Sequence, residues 1–269
     1  MYIMNIIFDN GQVNIQRSCI ARNNFNAVFY KKSVNIQRGT EAKEHGYPYV
    51  IFLEIDGGKS RCGGLFIHSS FIVTAYHCLQ RGKSIVAIAG INDITKRKDG
   101  QQQSVENSSY IKVGEDPKMD IRLIQLSQPF ILNEYVKTVQ LLKNFEMVVE
   151  APADIIGWGA TKHNTFPNTL QVATVNYLEK NHPNCRQVKK EDYHICFANV
   201  INNQGACLGD SGSSVILEGE TPTEDKIIAI IIDAPNQCFL KNKAYTDAIK
   251  TSSFCKELAK IKELRNVCV

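Results

Sequence analysis

Three short motifs, Thr74-Ala-Tyr-His-Cys78, Met119-Asp-Ile121 and Gly209-Asp-Ser-Gly212, stand far apart in a chain of 269 residues. If they act together, the fold must bring them into one crevice, and that demand constrains the chain more than its composition does. A serine hydroxyl is a weak nucleophile at neutral pH. It needs a base within hydrogen-bonding reach and a buried carboxylate to hold that base in one tautomer. Ser211, His77 and Asp120 are the candidate nucleophile, base and carboxylate. Each alone has a plain structural reading, such as a turn serine or an aspartate that caps an apolar run. Together they point to an acyl-enzyme and to peptide-bond hydrolysis.

The length suits one large β domain or two smaller ones. Short apolar runs separated by turn residues occupy 49–55, 64–67, 71–75, 84–89, 121–126, 154–156, 171–177, 214–217 and 227–232. Many short strands with few helical patterns predict an all-β barrel or sandwich. One helix is expected at the C-terminus, where Phe254, Leu258, Ile261 and Leu264 recur with lysines between them. Lys and Arg total 31 against 27 Asp and Glu, a formal charge of +4 with no dense basic block, which argues against a nucleic-acid partner. No stretch approaches the roughly 20 apolar residues of a membrane helix.

Nine cysteines without a Cys-x-x-Cys pair indicate an oxidising, secretory compartment. The opening Met1-Tyr-Ile-Met-Asn-Ile-Ile-Phe8 fits a secretory leader poorly, because it lacks a basic start and runs into polar residues. Either the leader is atypical or the start lies upstream. Val13-Asn-Ile-Gln-Arg17 recurs as Val34-Asn-Ile-Gln-Arg38, by chance, as a gene-model artefact, or as the mark of a removable pro-segment. Asn107-Ser-Ser109 is a glycosylation sequon.

Further blocks surround the three motifs: Gly39-Thr-Glu-Ala42, Cys62-Gly-Gly64, Gly157-Trp-Gly159, and Cys207-Leu-Gly-Asp-Ser-Gly212 with Cys238 and Tyr245-Thr246 beyond. In this order the chain from about Ile36 onward resembles the chymotrypsin/trypsin family of serine peptidases. The resemblance implies two six-stranded antiparallel β-barrels, a boundary near 140–150, a C-terminal α-helix packed on the second barrel, and residues 1–35 as a separate pro-segment. It implies His77, Asp120 and Ser211 as the catalytic residues, and the N–H groups of Gly209 and Ser211 as the oxyanion hole. It pairs Cys62 with Cys78, Cys185 with Cys196 and Cys207 with Cys238, and puts Ala153 and Leu217 where many members carry another pair. Cys19, Cys255 and Cys268 are left over; Cys255–Cys268 is one option for stapling the terminal helix. No metal or cofactor is implied. The implied partners are protein or peptide substrates and protease inhibitors, met as a secreted monomer.

The same resemblance marks departures. Activation in this family frees an amine that pairs with the aspartate before the serine. Ile36 and Asp210 match those positions, but Asn35 replaces the usual Arg or Lys and Gln37-Arg38 follows the cleavage point. Gly205 aligns with the floor of the primary pocket, where an aspartate would bind Lys or Arg, so an apolar or aromatic side chain is expected there. Leu208 adds apolar surface at its entrance. The substrate-pairing edge, usually Ser-Trp-Gly, is Ile232-Asp233-Ala234 in one register and Asp233-Ala234-Pro235 in another. In the second register Pro235 lacks an N–H and Asp233 approaches Asp120. A second function class follows from these changes. It is a binding or decoy protein on a peptidase scaffold, similar in kind to the inactive protease paralogues of parasitic mites.

Overall fold

A computed structural model describes residues 39–80, 84–106, 109–116, 118–161, 165–189, 191–235 and 244–269, together with the backbone of strands β1 (Met4–Asp9) and β2 (Gln12–Arg17). β1 and β2 form an antiparallel hairpin from Met4↔Arg17 to Asp9↔Gln12. The first copy of the repeated pentapeptide lies in β2. The second copy, with Asn35, Ile36 and Arg38, lies outside the described residues, as do Cys19, Asn107 and Cys238.

The predicted apolar runs become strands. After the short β3 (Thr40–Glu41), a first antiparallel sheet holds β4 (Val50–Ile55), β5 (Ser60–His68), β6 (Phe71–Ala75), β7 (Ile85–Ala89), β8 (Gln101–Val105), β9 (Tyr110–Lys112) and β10 (Ile121–Gln125). Its order is β8-β7-β4-β5-β6-β10-β9. The sheet curls around Leu53, Leu65, Ile72, Ile88 and Leu123, which are fully buried.

The second sheet holds β11 (Gln140–Leu141), β12 (Pro152–Gly157), β13 (Gln171–Leu178), β14 (His194–Ala198), β15 (Ser214–Leu217), β16 (Lys226–Asp233) and β17 (Thr246–Lys250). Strands β12 to β17 close into a six-stranded barrel because β16 pairs with both β15 and β17. β11 runs parallel along β16, and β3 adds to β13. Val175, Phe197, Val215, Ala229, Ile231 and Ala248 fill the barrel interior. The β12–β15 register brings Ala153 and Leu217 opposite each other in this apolar cluster, so no thiol is stranded where the family's other disulfide would sit. The expected two-barrel architecture is therefore present, with the second barrel closed and the first a curled seven-stranded sheet.

The C-terminal helix is much shorter than its apolar pattern predicts. α2 spans only Cys255–Leu258, between single 3₁₀ turns at Thr251–Ser253 and Lys262–Leu264. Beyond Leu258 the apolar spacing is three residues, and the backbone follows it: Ile261 N–H donates to Leu258 O and Leu264 N–H to Ile261 O, each at 3.0 Å. That is the three-residue turn of a 3₁₀ helix rather than an α-helix. Phe254, Leu258 and Leu264 enter the large cluster shared by both sheets, not the interior of the second barrel. Cys255–Cys268 closes this segment as a disulfide. Cys62–Cys78 and Cys185–Cys196 also pair as the family resemblance implies. Cys207 is disulfide-bonded, and its expected partner Cys238 lies outside the described residues.

Candidate active site

His77 and Asp120 meet because their strands are neighbours. β6 and β10 pair with Ala75 opposite Ile121, and Tyr76 N–H donates to Asp120 O at 3.1 Å. His77 therefore starts α1 (Tyr76–Gln80) directly across from Asp120. The carboxylate accepts from the His77 backbone N–H at 2.9 Å and lies 2.6 Å from Nδ1. With Nδ1–H held by an anion, Nε2 carries the lone pair. The two side chains are 24% and 17% exposed, enough to reach a crevice and too little to be freely solvated.

Ser211 sits on a tight turn pinned to the first sheet. Gly63 N–H donates to Ser211 O at 2.8 Å, and Gly212 N–H to Ile231 O at 2.7 Å. Gly212 has φ of +82°, and a Cβ there would lie 2.2 Å from both Gly63 O and Thr74 Oγ1, so glycine is required. Thr74, whose hydroxyl donates to Gly63 O at 2.8 Å, is a positioning residue the motif reading overlooked. The Cys78 sulfur is 3.7 Å from Ser211 O and 3.9 Å from His77 Nε2, which sets the turn beside the imidazole. Among the described residues no hydrogen bond joins the Ser211 hydroxyl to His77. Gly209 and Ser211 N–H donate to no acceptor there either.

Asp210 is enclosed by the Gly157-Trp158-Gly159 segment. Gly159 N–H donates to Oδ1 at 2.8 Å and Cys207 N–H to Oδ2 at 2.9 Å. A Cβ on Gly157 would lie 2.1 Å from the carboxylate oxygen, which explains the first glycine of that block. Burial pushes the Asp210 carboxyl up to about 6 against these two donors. Its sequence-predicted partner, Ile36, lies outside the described residues.

Gly205 lies against the Tyr245–Thr246 backbone, where a Cβ would be 3.1 Å from Tyr245 O. Ala206 N–H donates to Thr246 Oγ1 at 2.7 Å. Leu208 is 45% exposed at the rim. Ile231 N–H donates to Ser213 O at 2.8 Å, so the edge passing the serine turn continues as Ile232, Asp233 and Ala234, with Pro235 beyond. Ile232 is buried, and the Asp233 carboxylate accepts from Tyr245 O–H at 3.3 Å and faces Asp247 across the strands. The β16–β17 pairing sets Asp233 beside Tyr245 and Asp247. Burial, reinforced by Asp233, pushes the Tyr245 phenol up to about 12.

A hollow of about 430 Å³ beside Asp120 is lined by Tyr76, Lys118, Lys189 and Glu191, with Lys118 and Glu191 paired at 3.3 Å. Cys62, Cys78 and His77 also cluster, but both sulfurs are consumed in a disulfide, which leaves one imidazole and no metal-ligand set.

The family described as Trypsin matches residues 36–256. Mast cell protease 8 of Mus musculus is 30% identical over 67% of this chain and 75% of its own length. Chymotrypsin of Phaedon cochleariae is 28% identical over 69% of this chain and 70% of its own length. The structure of neuropsin, a serine protease expressed in the limbic system of mouse brain, superposes with a TM-score of 0.69 at 24% identity, covering 84% of this chain and all of that one. That last likeness speaks to the fold. With a closed β-barrel and a curled β-sheet, a His–Asp pair and a Gly-Asp-Ser-Gly turn, the chain belongs to the trypsin family of serine endopeptidases.

Proposed function

We propose that this chain is the precursor of a secreted serine endopeptidase of non-tryptic specificity. The observation that carries the reading is the His77–Asp120 pair, locked at 2.6 Å beside the Ser211 turn. In the proposed reaction Nε2 of His77 takes the Ser211 hydroxyl proton as Oγ attacks the scissile carbonyl. Asp120 stabilises the imidazolium, and Gly209 and Ser211 N–H bind the oxyanion. His77 then protonates the leaving amine, and water hydrolyses the acyl-enzyme by the same relay.

Residues 1–35 are the proposed pro-segment and 36–269 the peptidase domain, with its two barrels dividing near 140–150. Among the described residues Asp210 is held by the Gly159 and Cys207 backbone N–H groups, and no hydrogen bond connects Ser211 to His77. Both features suit a precursor in which cleavage after Asn35 supplies the Ile36 amine to Asp210. The glycine floor at Gly205 and the apolar rim at Leu208 favour an apolar or aromatic side chain in the primary pocket. The disulfides support an oxidising compartment. Among the described residues no helix is long and apolar enough to cross a membrane.

The buried Ile232 on the substrate-pairing edge favours the second reading, a scaffold that binds peptides without cutting them. Incubating the chain, cleaved after Asn35, with a mixed peptide library separates the two readings. Cleavage after large apolar residues that is lost in Ser211→Ala supports the peptidase. Intact peptides with a folded protein support the binder.

A further inference from the structure

Next to the oxyanion glycine stands a cation without an anion. Arg61 precedes Cys62 on β5, and its guanidinium carbon lies 4.6 Å from the centre of the Phe166 ring and 5.6 Å from that of Phe52. Its one hydrogen bond among the described residues is a long one, from Nη1 to Pro167 O at 3.4 Å. No carboxylate pairs with it among the described residues, and outside them the only acidic residue is Asp9. The other arginine lining the same hollow, Arg97, is paired with Glu54. Burial without a counter-charge holds the Arg61 pKa below its ordinary value. Such a guanidinium gains from any carboxylate that reaches it.

Its position decides which carboxylate that is. A Cβ on Gly209 would lie 3.2 Å from Arg61 Cγ and 3.2 Å from Phe166 Cε1, so the arginine stem and the ring border the oxyanion site directly. Gly205, the proposed pocket floor, precedes Cys207 and Leu208 in the same loop and lies against the backbone of Tyr245. A peptide with its carbonyl oxygen on Gly209 N–H and its acyl side chain toward Gly205 must carry its leaving portion away from that pocket. Beside Arg61 a hollow of about 220 Å³ opens, lined also by Phe52, Ser60 and Arg97, with Glu54 in the same lining already paired to Arg97.

We propose that Arg61 determines specificity on the leaving-group side, binding an aspartate or glutamate side chain within the first two residues after the scissile bond. This rests on the peptidase reading above. Phe52 and Phe166 flank the guanidinium and steady it.

The test uses the full chain cleaved after Asn35, with active sites first counted by fluorophosphonate labelling. Quenched-fluorescence peptides that differ only at those two positions, carrying Glu, Ala or Lys, are then compared by kcat/KM within each preparation, so the ratio is independent of the fraction folded. Wild type should favour Glu over Ala by about tenfold, the size of one charge-assisted hydrogen bond. Arg61→Met should bring that ratio to about one, and Arg61→Glu should turn the preference toward Lys, by the same charge logic. Raising the salt concentration should shrink the wild-type preference. An enzyme that labels and cleaves without favouring acids, or whose preference survives both substitutions, overturns the role of Arg61 and leaves the peptidase reading intact. Neither labelling nor cleavage overturns both.

Discussion

Two histidine–aspartate pairs in this molecule are built almost alike and placed in opposite surroundings. His77 Nδ1 lies 2.6 Å from Asp120, and His194 Nδ1 lies 2.7 Å from Asp247. The first pair is 24% and 17% exposed and stands next to the serine turn; the second is 0% and 1% exposed, buried on the face of β14 and β17 opposite the barrel interior. His194 Nε2 is buried and has no hydrogen-bond partner among the described residues, and the Asp247 carboxylate is pushed upward by burial, an effect that His194 partly offsets. The contrast shows that an imidazole held by a carboxylate is not yet a catalyst. It becomes one only where Nε2 opens onto a hydroxyl and a crevice a substrate can enter. Sealed from solvent, the same pair is a buried polar contact whose worth is structural.

The sharpest way to break this comparison is to remove each histidine. His77→Ala should lower kcat by about six orders of magnitude, as expected when a triad member is lost, with little change in urea midpoint. His194→Ala should do the reverse, costing about 3–5 kcal/mol of stability by stranding a buried carboxylate, while turnover per labelled active site persists. A smaller contrast comes from the carboxylates. Asp120→Asn should cost about 10⁴ in kcat through the wrong tautomer. Asp247→Asn should cost about 2 kcal/mol of stability and leave turnover per labelled site unchanged.

The smallest expected effect concerns Asp210. Its folded-state pKa in the uncut chain is raised to about 6 by burial. A raised acid favours the protonated fold, so its contribution is fully present below the ordinary carboxylate range and is lost as pH rises through about 6. Wild-type precursor should therefore be more stable at pH 5 than at pH 7 by about 1 kcal/mol from this group. Asp225, also raised to about 6, acts with the same sign, so only part of the slope should vanish in Asp210→Asn. Thermal unfolding at the two pH values checks this.

Strands written as apolar runs, such as β4 and β16, were legible in the sequence, and so were the His, Asp and Ser motifs. β8, Gln101–Val105, was not, because an edge strand with alternating exposure has no apolar run to betray it. β14 and β17 hid for the opposite reason: they bury His194, Thr246 and Asp247, residues a strand reading assigns to loops. The terminal helix misled through a correct pattern with the wrong pitch. Arg61 escaped notice because nothing in Ser60-Arg-Cys62 announces that Gly209 and Phe166 will fold against it.

The rate at which a fluorophosphonate attaches to Ser211, mapped by peptide mass after cleavage at Asn35, tests the central claim most directly. Rapid attachment that falls by orders of magnitude in His77→Ala and is unaltered in Asp247→Asn is the predicted result. Attachment equally slow in wild type and His77→Ala, on protein shown to be folded and cleaved, would contradict it.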